Sequence, residues 1–141
     1  MDVVVPRGRD RVATVACGCA LAAGALYTAL NDPSEPGNRF IPCVFHRMTG
    51  LWCPGCGLTR GTHALLTGNP IEALGYNLFT PLALVGIVIA WAVWALRCWG
   101  RAVRSPIDRM PARWGTVLLI AVITFGVLRN LPFAPLRALA P

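Results

Sequence analysis

Half of the six cysteines and both histidines lie within 22 residues, Pro42 to His63. The pattern is Cys43-x-x-His46, six intervening residues, then Cys53-Pro54-Gly55-Cys56-Gly57 and, seven residues beyond Cys56, His63. Thiols and imidazoles at this spacing suit three kinds of chemistry. In the first, Cys43, His46, Cys53 and Cys56 form two paired knuckles around a tetrahedral ion such as zinc. Pro54 and Gly55 then supply the tight turn that aims both thiolates at it. The gap between the knuckles is shorter than in common zinc ribbons. A helix beginning near Gly57 would carry His63 about 10 Å along its axis, a poor place for a fifth ligand; His63 reads instead as a capping, hydrogen-bonding or titrating residue.

The second chemistry is thiol–disulfide exchange by Cys53 and Cys56. A following helix start and Arg60, one turn on, would favour the thiolate. An outward-facing site suits disulfides, although no strand pattern for a thioredoxin-like fold is present. The third is a structural disulfide, Cys53–Cys56 or Cys43 with one of them, pinning the loop. Phosphate-cradling glycine loops, paired carboxylates and Ser/His/Asp sets are absent.

The segments around this stretch are apolar. The chain has 141 residues, 55% hydrophobic and 13% charged, against roughly 25% charged in soluble proteins. A membrane protein with a single domain follows. All 13 basic residues are Arg. The net charge of +7 does not imply nucleic acid, because the arginines flank apolar runs rather than forming one stripe.

Val12 to Leu30 is a run of 19 uncharged residues, a helix of roughly 28 Å, close to a hydrocarbon core. The basic start also suits a cleaved signal peptide with Ala23-Gly24-Ala25 as the site, but the apolar run continues past it. Cys17, Cys19 and Cys98 read as small apolar fillers. Asn31 to Asn38, with Pro33, Pro36 and Gly37, stops the helix. A short interfacial helix is predicted near 58–66. A new helix starts at about Pro70, capped by Asn69 with Glu72 reaching back. The second span covers about 78–96, with Pro81 positioned to kink it and Trp91, Trp94 and Trp99 towards its far end. A basic loop, Arg97 to Arg113, contains Pro106, Asp108 and Pro111. The third span, about 114–130, has only 15 uncharged residues, so Arg113 and Arg129 would snorkel. Arg129 could instead pair with Glu72 or a ligand anion. Asn77 reads as a cap or an interhelical bond, and Thr59-Arg60 as a weak phosphate-binding start.

The expected architecture is therefore all-α: an integral membrane protein with three transmembrane helices and a Cys/His loop, residues 31–77, between the first and second. Residues 1–11 form an N-terminal segment and 12–141 one membrane domain. The N-terminus and the 97–113 loop carry eight arginines, against five in the 31–77 loop and the tail. The positive-inside bias puts the N-terminus in the cytoplasm, and the Cys/His loop and C-terminus outside. With three spans, Arg129 and Asn130 share a side with Cys43, His46, Cys53, Cys56, Arg60, His63, Glu72 and Asn77. Polar specialists gathered in one layer of so apolar a chain mark a site.

The Pro42–His46 and Thr49–Arg60 segments, with His63, resemble the bacterial membrane family catalogued as domain of unknown function 2752. The resemblance extends to Asn31-Asp32-Pro33, Gly68-Asn69-Pro70, Tyr76-Asn77, Pro81 and Arg129-Asn130-Leu131-Pro132, about 100 residues in all. It implies a small multi-pass bacterial membrane protein with a cysteine-loop signature, and it implies no reaction. Three functions follow as expectations. The leading one is a non-enzymatic binding or assembly module with a zinc-ordered loop. The second is a membrane thiol–disulfide oxidoreductase using Cys53, Cys56 and Arg60. The third is a disulfide-stapled accessory subunit. The expected partners are the lipid bilayer and another membrane protein or a second copy, with no nucleic acid.

Overall fold

A computed structural model describes residues 8–105 and 110–132. The expectations for residues 1–7, for Pro106 and Asp108, and for the tail from 133 fall outside the described residues. Among those described, the secondary structure is helical, without strands: α1 Gly8–Leu30, α2 Val44–Thr49, α3 Leu58–Leu66, α4 Pro70–Tyr76, α5 Thr80–Cys98 and α6 Arg113–Leu128. By length and composition, α1 (23 residues) and α5 (19 residues) can cross a membrane. The segment expected as a third span is helical, α6, but its 16 residues cover only about 24 Å, short of the usual requirement.

α1 is rich in Ala, the best helix former, and runs antiparallel to α5. Three contacts set this register. The Trp91 indole donates to the Thr14 carbonyl at 3.0 Å. Gly18 leaves room for that ring, since a Cβ there would lie 2.6 Å from it. Arg11 donates to the Cys98 carbonyl at 3.0 Å, placing a cation at the C-terminal end of α5.

At the opposite end of the pair, three short helices fill the connection. α2 is an addition to the expected elements; it ends at Gly50, whose left-handed φ of 71° lets its N–H reach the His46 carbonyl. α3 has the bounds predicted for the short helix near 58–66. His63 on α3 is 2.7 Å from the Thr28 carbonyl through Nδ1, so Nδ1 carries the proton and ties α3 to the end of α1. α4 starts at Pro70 as predicted, but the expected capping box does not form. Asn69 makes no side-chain cap bond, and Glu72 accepts from the Tyr76 hydroxyl instead. Pro81 does not kink one continuous helix, because the helix breaks completely between Tyr76 and Thr80. Pro81 lies in the first turn of α5, where its missing N–H goes unneeded.

α3, α4 and α5 converge on Gly61. A Cβ there would lie 2.6 Å from the Thr80 hydroxyl and 3.1 Å from the Ala73 carbonyl, and Thr80 and Ala73 are both fully buried. Gly61→Val is therefore expected to destabilise the protein by about 2–3 kcal/mol through overpacking. Thermal unfolding in detergent measures this; an unchanged midpoint would mean that the three helices do not meet there.

α6 joins this end only through its last turns. Residues 111–121 are exposed throughout. Phe125 meets Phe79 edge-on with 5.1 Å between ring centroids, and Gly126 lies so close to Pro54 that a Cβ would come within 2.7 Å of that ring. The end of α1, the start of α5 and the end of α6 thus surround the cysteine loop.

Candidate functional site: a clamped three-cysteine loop

Cys53-Pro54-Gly55-Cys56 folds as a turn, with the Cys56 N–H on the Cys53 carbonyl at 3.1 Å and Pro54 at the position that prefers its fixed φ. Gly57 then takes φ 85°, a left-handed step available at little cost only to glycine, and the chain enters α3. Cys43 stands immediately before α2, so the two flanking helices bring the distant thiol to the turn.

Side chains from three other places hold the turn by its backbone. Arg129, just past α6, donates through Nη1 to the Cys53 and Cys56 carbonyls, both at 3.0 Å, and reaches the Tyr76 carbonyl at 3.5 Å through Nη2. It is 2% exposed and its Nε has no partner. Among the described residues it forms no ion pair with a carboxylate. The groups able to carry negative charge that act on it are the thiols of Cys56 and Cys53. Asn77 donates to the Pro54 and Cys56 carbonyls at 2.8 and 3.0 Å, while its oxygen accepts from the Phe79 N–H in the turn before α5. Asn130 pairs with both backbone groups of Trp52, accepting at 2.7 Å and donating at 2.8 Å. The carbonyls of residues 52, 53, 54 and 56 thereby all accept from side chains, as a half-buried irregular loop requires.

Within this clamp the sulfurs of Cys43, Cys53 and Cys56 lie within 4.8 Å of one another. Three cysteines this close could hold a metal ion. Their spacing is uneven: Cys53–Cys56 is 2.8 Å and Cys43–Cys53 is 3.4 Å. All three are free thiols. Cys56 is 5% exposed, whereas Cys43 and Cys53 are half-buried. The Cys53 N–H also donates to the Cys56 sulfur at 3.2 Å.

The two ends of the cluster differ electrostatically. The His46 backbone N–H, and after it the neighbouring Cys53 and Cys56 side chains, hold the Cys43 thiol below its ordinary value. The N–H lies outside hydrogen-bond geometry as a cap, so it acts as a dipole. Burial, then the neighbouring thiols, pushes Cys56 up to about 12. A thiol with a lowered pKa is ionised at lower pH, and a raised one stays protonated until high pH. Cys43 is therefore expected to react first with iodoacetamide, with its rate rising from lower pH, while Cys56 stays unlabelled near neutrality. Peptide mapping of partly alkylated protein reads this order, and equal labelling of the two would contradict it.

The structure places the remaining predicted residues as follows. His46 lies outside the sulfur cluster. Its ring stacks on Trp52 with centroids 3.9 Å apart, and Nδ1 donates to the Leu51 carbonyl at 3.1 Å. Arg60 is not among the groups that act on Cys43 or Cys56; it borders a cavity that also touches both. Glu72 does not meet Arg129. Sequence reasoning gathers Arg129, Asn77 and Asn130 at the cysteine face; what it misses is that they clamp the loop by its backbone carbonyls. The signal available was an Arg-Asn pair closing an apolar helix, because intramembrane or interfacial polar groups rarely lack a function.

Fold and site together define a small helical protein with two membrane-length apolar helices and a half-buried, side-chain-clamped three-cysteine loop at one end. Residues 43–91 match the family described as "Protein of unknown function (DUF2752)". The match contains the three clustered cysteines, Arg60 and Asn77, whereas Arg129 and Asn130 lie beyond it. No curated protein and no solved structure matches the chain.

Proposed function

We propose that the protein is a membrane thiol–disulfide exchange protein in which Cys53 and Cys56 open and close a disulfide. The observation that carries this reading is the 2.8 Å separation of their sulfurs. That is within the van der Waals contact distance of two sulfurs, on a turn that can close to a bond. Tetrahedral zinc with bonds of about 2.3 Å would hold its sulfurs about 3.8 Å apart, and here Cys53–Cys56 and Cys43–Cys53 are both closer. Arg129 supports the same reading through the backbone: its Nη1 holds the Cys53 and Cys56 carbonyls, each at 3.0 Å, and so fixes the turn that carries the two sulfurs.

The convergence of three sulfurs within 4.8 Å favours a second reading. In it a thiophilic ion is held by Cys43, Cys53 and Cys56, with His46 brought in as a fourth ligand through Nε2. The bond from Nδ1 to Leu51 supports that tautomer.

The proposed setting is a bacterial cell membrane. α1 and α5 cross it, and α6 crosses as a short third span in thinned lipid, which would cover the exposed apolar side chains of Trp114, Val117, Leu118 and Ile120. The arginine bias favours a cytoplasmic N-terminus and an extracytoplasmic loop. The test is stoichiometric transfer. Oxidised full-length protein in detergent is mixed with a reduced peptide dithiol, and the bridge should pass to the peptide with recovery of two protein thiols. Failure of an oxidised, folded sample to transfer its bridge overturns the proposal.

A further inference from the structure

Forming a disulfide from two thiols releases two electrons and two protons, and the chain's own described residues offer no acceptor. A cavity of about 650 Å³ borders the cluster, within the range that holds a small organic ligand. Its lining includes Cys43, Cys56, Phe40, the stacked His46–Trp52 pair and Arg60. Arg60 makes no hydrogen bond or ion pair among the described residues, so its donors are available to the cavity. The site lies at the end of the apolar helices, and Ile41, which lines it, is 90% exposed.

We infer that this cavity takes the ring of a lipid-soluble quinone, and that Cys43 is the thiol that reacts with it. The inference rests on the exchange reading given above. A quinone is the class that fits all four features. Its flat ring extends the His46–Trp52 stack, its carbonyl oxygen accepts from Arg60, and its apolar tail leaves towards lipid. It also takes up two electrons with two protons.

The order of steps follows the spacing. Of the two thiols that line the cavity, Cys43 is half-buried and Cys56 is 5% exposed, so Cys43 is the more accessible; Cys53 joins them, 3.4 Å from Cys43 and 2.8 Å from Cys56. The Cys43 thiolate adds to a ring carbon. Cys53 then attacks the Cys43 sulfur, the carbon–sulfur bond breaks, and the ring leaves with both electrons as the hydroquinone, taking the protons given up by Cys43 and Cys53. Cys56 next attacks the Cys53 sulfur of the Cys43–Cys53 bridge. This forms the Cys53–Cys56 disulfide and returns Cys43, which recovers the Cys56 proton. In sum, two thiols and one quinone give one disulfide and one hydroquinone. The third cysteine, unexplained by a simple dithiol, becomes the entry point.

The experiment uses fully reduced, full-length protein in detergent, without oxygen, and decylubiquinone, whose fully substituted ring forms no lasting thioether. One quinone should be reduced per chain, with loss of two thiols. Cys43→Ala should slow this about 10³-fold, as loss of a nucleophile does. Arg60→Ala should raise the half-saturating quinone concentration about tenfold, the loss of one charged hydrogen bond. Diamide, which needs no cavity, should still close Cys53–Cys56 in both variants and so shows that the loop is folded. If diamide closes the bridge but quinone is not reduced, or Cys43→Ala reduces it at the wild-type rate, the quinone site is wrong and exchange stands. If diamide closes no bridge in the wild type, the exchange reading fails as well.

Discussion

Arg129→Met is expected to lower stability by about 3–5 kcal/mol and to expose Cys56 to alkylation. Arg129 is 2% exposed, and its guanidinium joins the carbonyls of residues 53, 56 and 76. The Cys53 carbonyl would keep only the turn bond from the Cys56 N–H, and the Cys56 carbonyl only the bond from Asn77. A methionine fills most of the volume but leaves each of these acceptors one charged donor short, and hydrogen bonds to charged groups contribute about 1.5–3 kcal/mol each. The loss also frees the end of α6, which otherwise touches the loop through Gly126 and Asn130. Arg129→Lys should recover only part of the loss, because an ammonium is a compact point donor and cannot span several carbonyls as the planar fork does. Thermal melts in detergent, paired with mass counting of labelled thiols, separate the two variants. Wild-type stability in Arg129→Met would remove the clamp from the account.

The second large effect is expected at Cys53. Its sulfur is the one in contact with both others, 3.4 Å from Cys43 and 2.8 Å from Cys56. Cys53→Ala therefore removes every direct exchange partner at once, and bridge transfer to a peptide dithiol should fall by about 10³-fold or more. The fold should survive, because the clamp grips the backbone carbonyl of residue 53 and not its side chain. A normal melting midpoint with no transfer is the expected pair of results. Retained transfer would show that the Cys43–Cys56 pair can act alone, and the central position of Cys53 would lose its meaning.

Much of this arrangement is legible in the chain. The short helix at 58–66 follows from a glycine-flanked segment between two breakers, and α3 occupies Leu58–Leu66. The shared location of the cysteine loop and Arg129-Asn130 follows from counting helix directions, and Asn130 does pair with Trp52. Backbone acceptors are what sequence hides. Arg129 reads as a snorkelling end or a partner for Glu72 because a carboxylate is visible in a sequence and a carbonyl is not. α2 is missed for a different reason: six residues carry too little periodicity, and the one signal is Thr49-Gly50 at its end. His46 looks like a ligand by its spacing from Cys43, yet Trp52, on the far side of the Gly50 turn, stacks against its ring and leaves it outside the cluster. The shortness of α6 is legible as well: the 15 uncharged residues from Trp114 to Leu128 become a helix of 16, Arg113–Leu128.

The most direct test is the state of the loop sulfurs in full-length protein purified without reductant and equilibrated in a glutathione redox series. Bound metal is counted on the same sample. A Cys53–Cys56 bridge that forms and opens reversibly, with Cys43 alkylatable throughout and no stoichiometric metal, is the predicted result. One metal ion per chain, with Cys43, Cys53 and Cys56 protected together until a chelator is added, would contradict it.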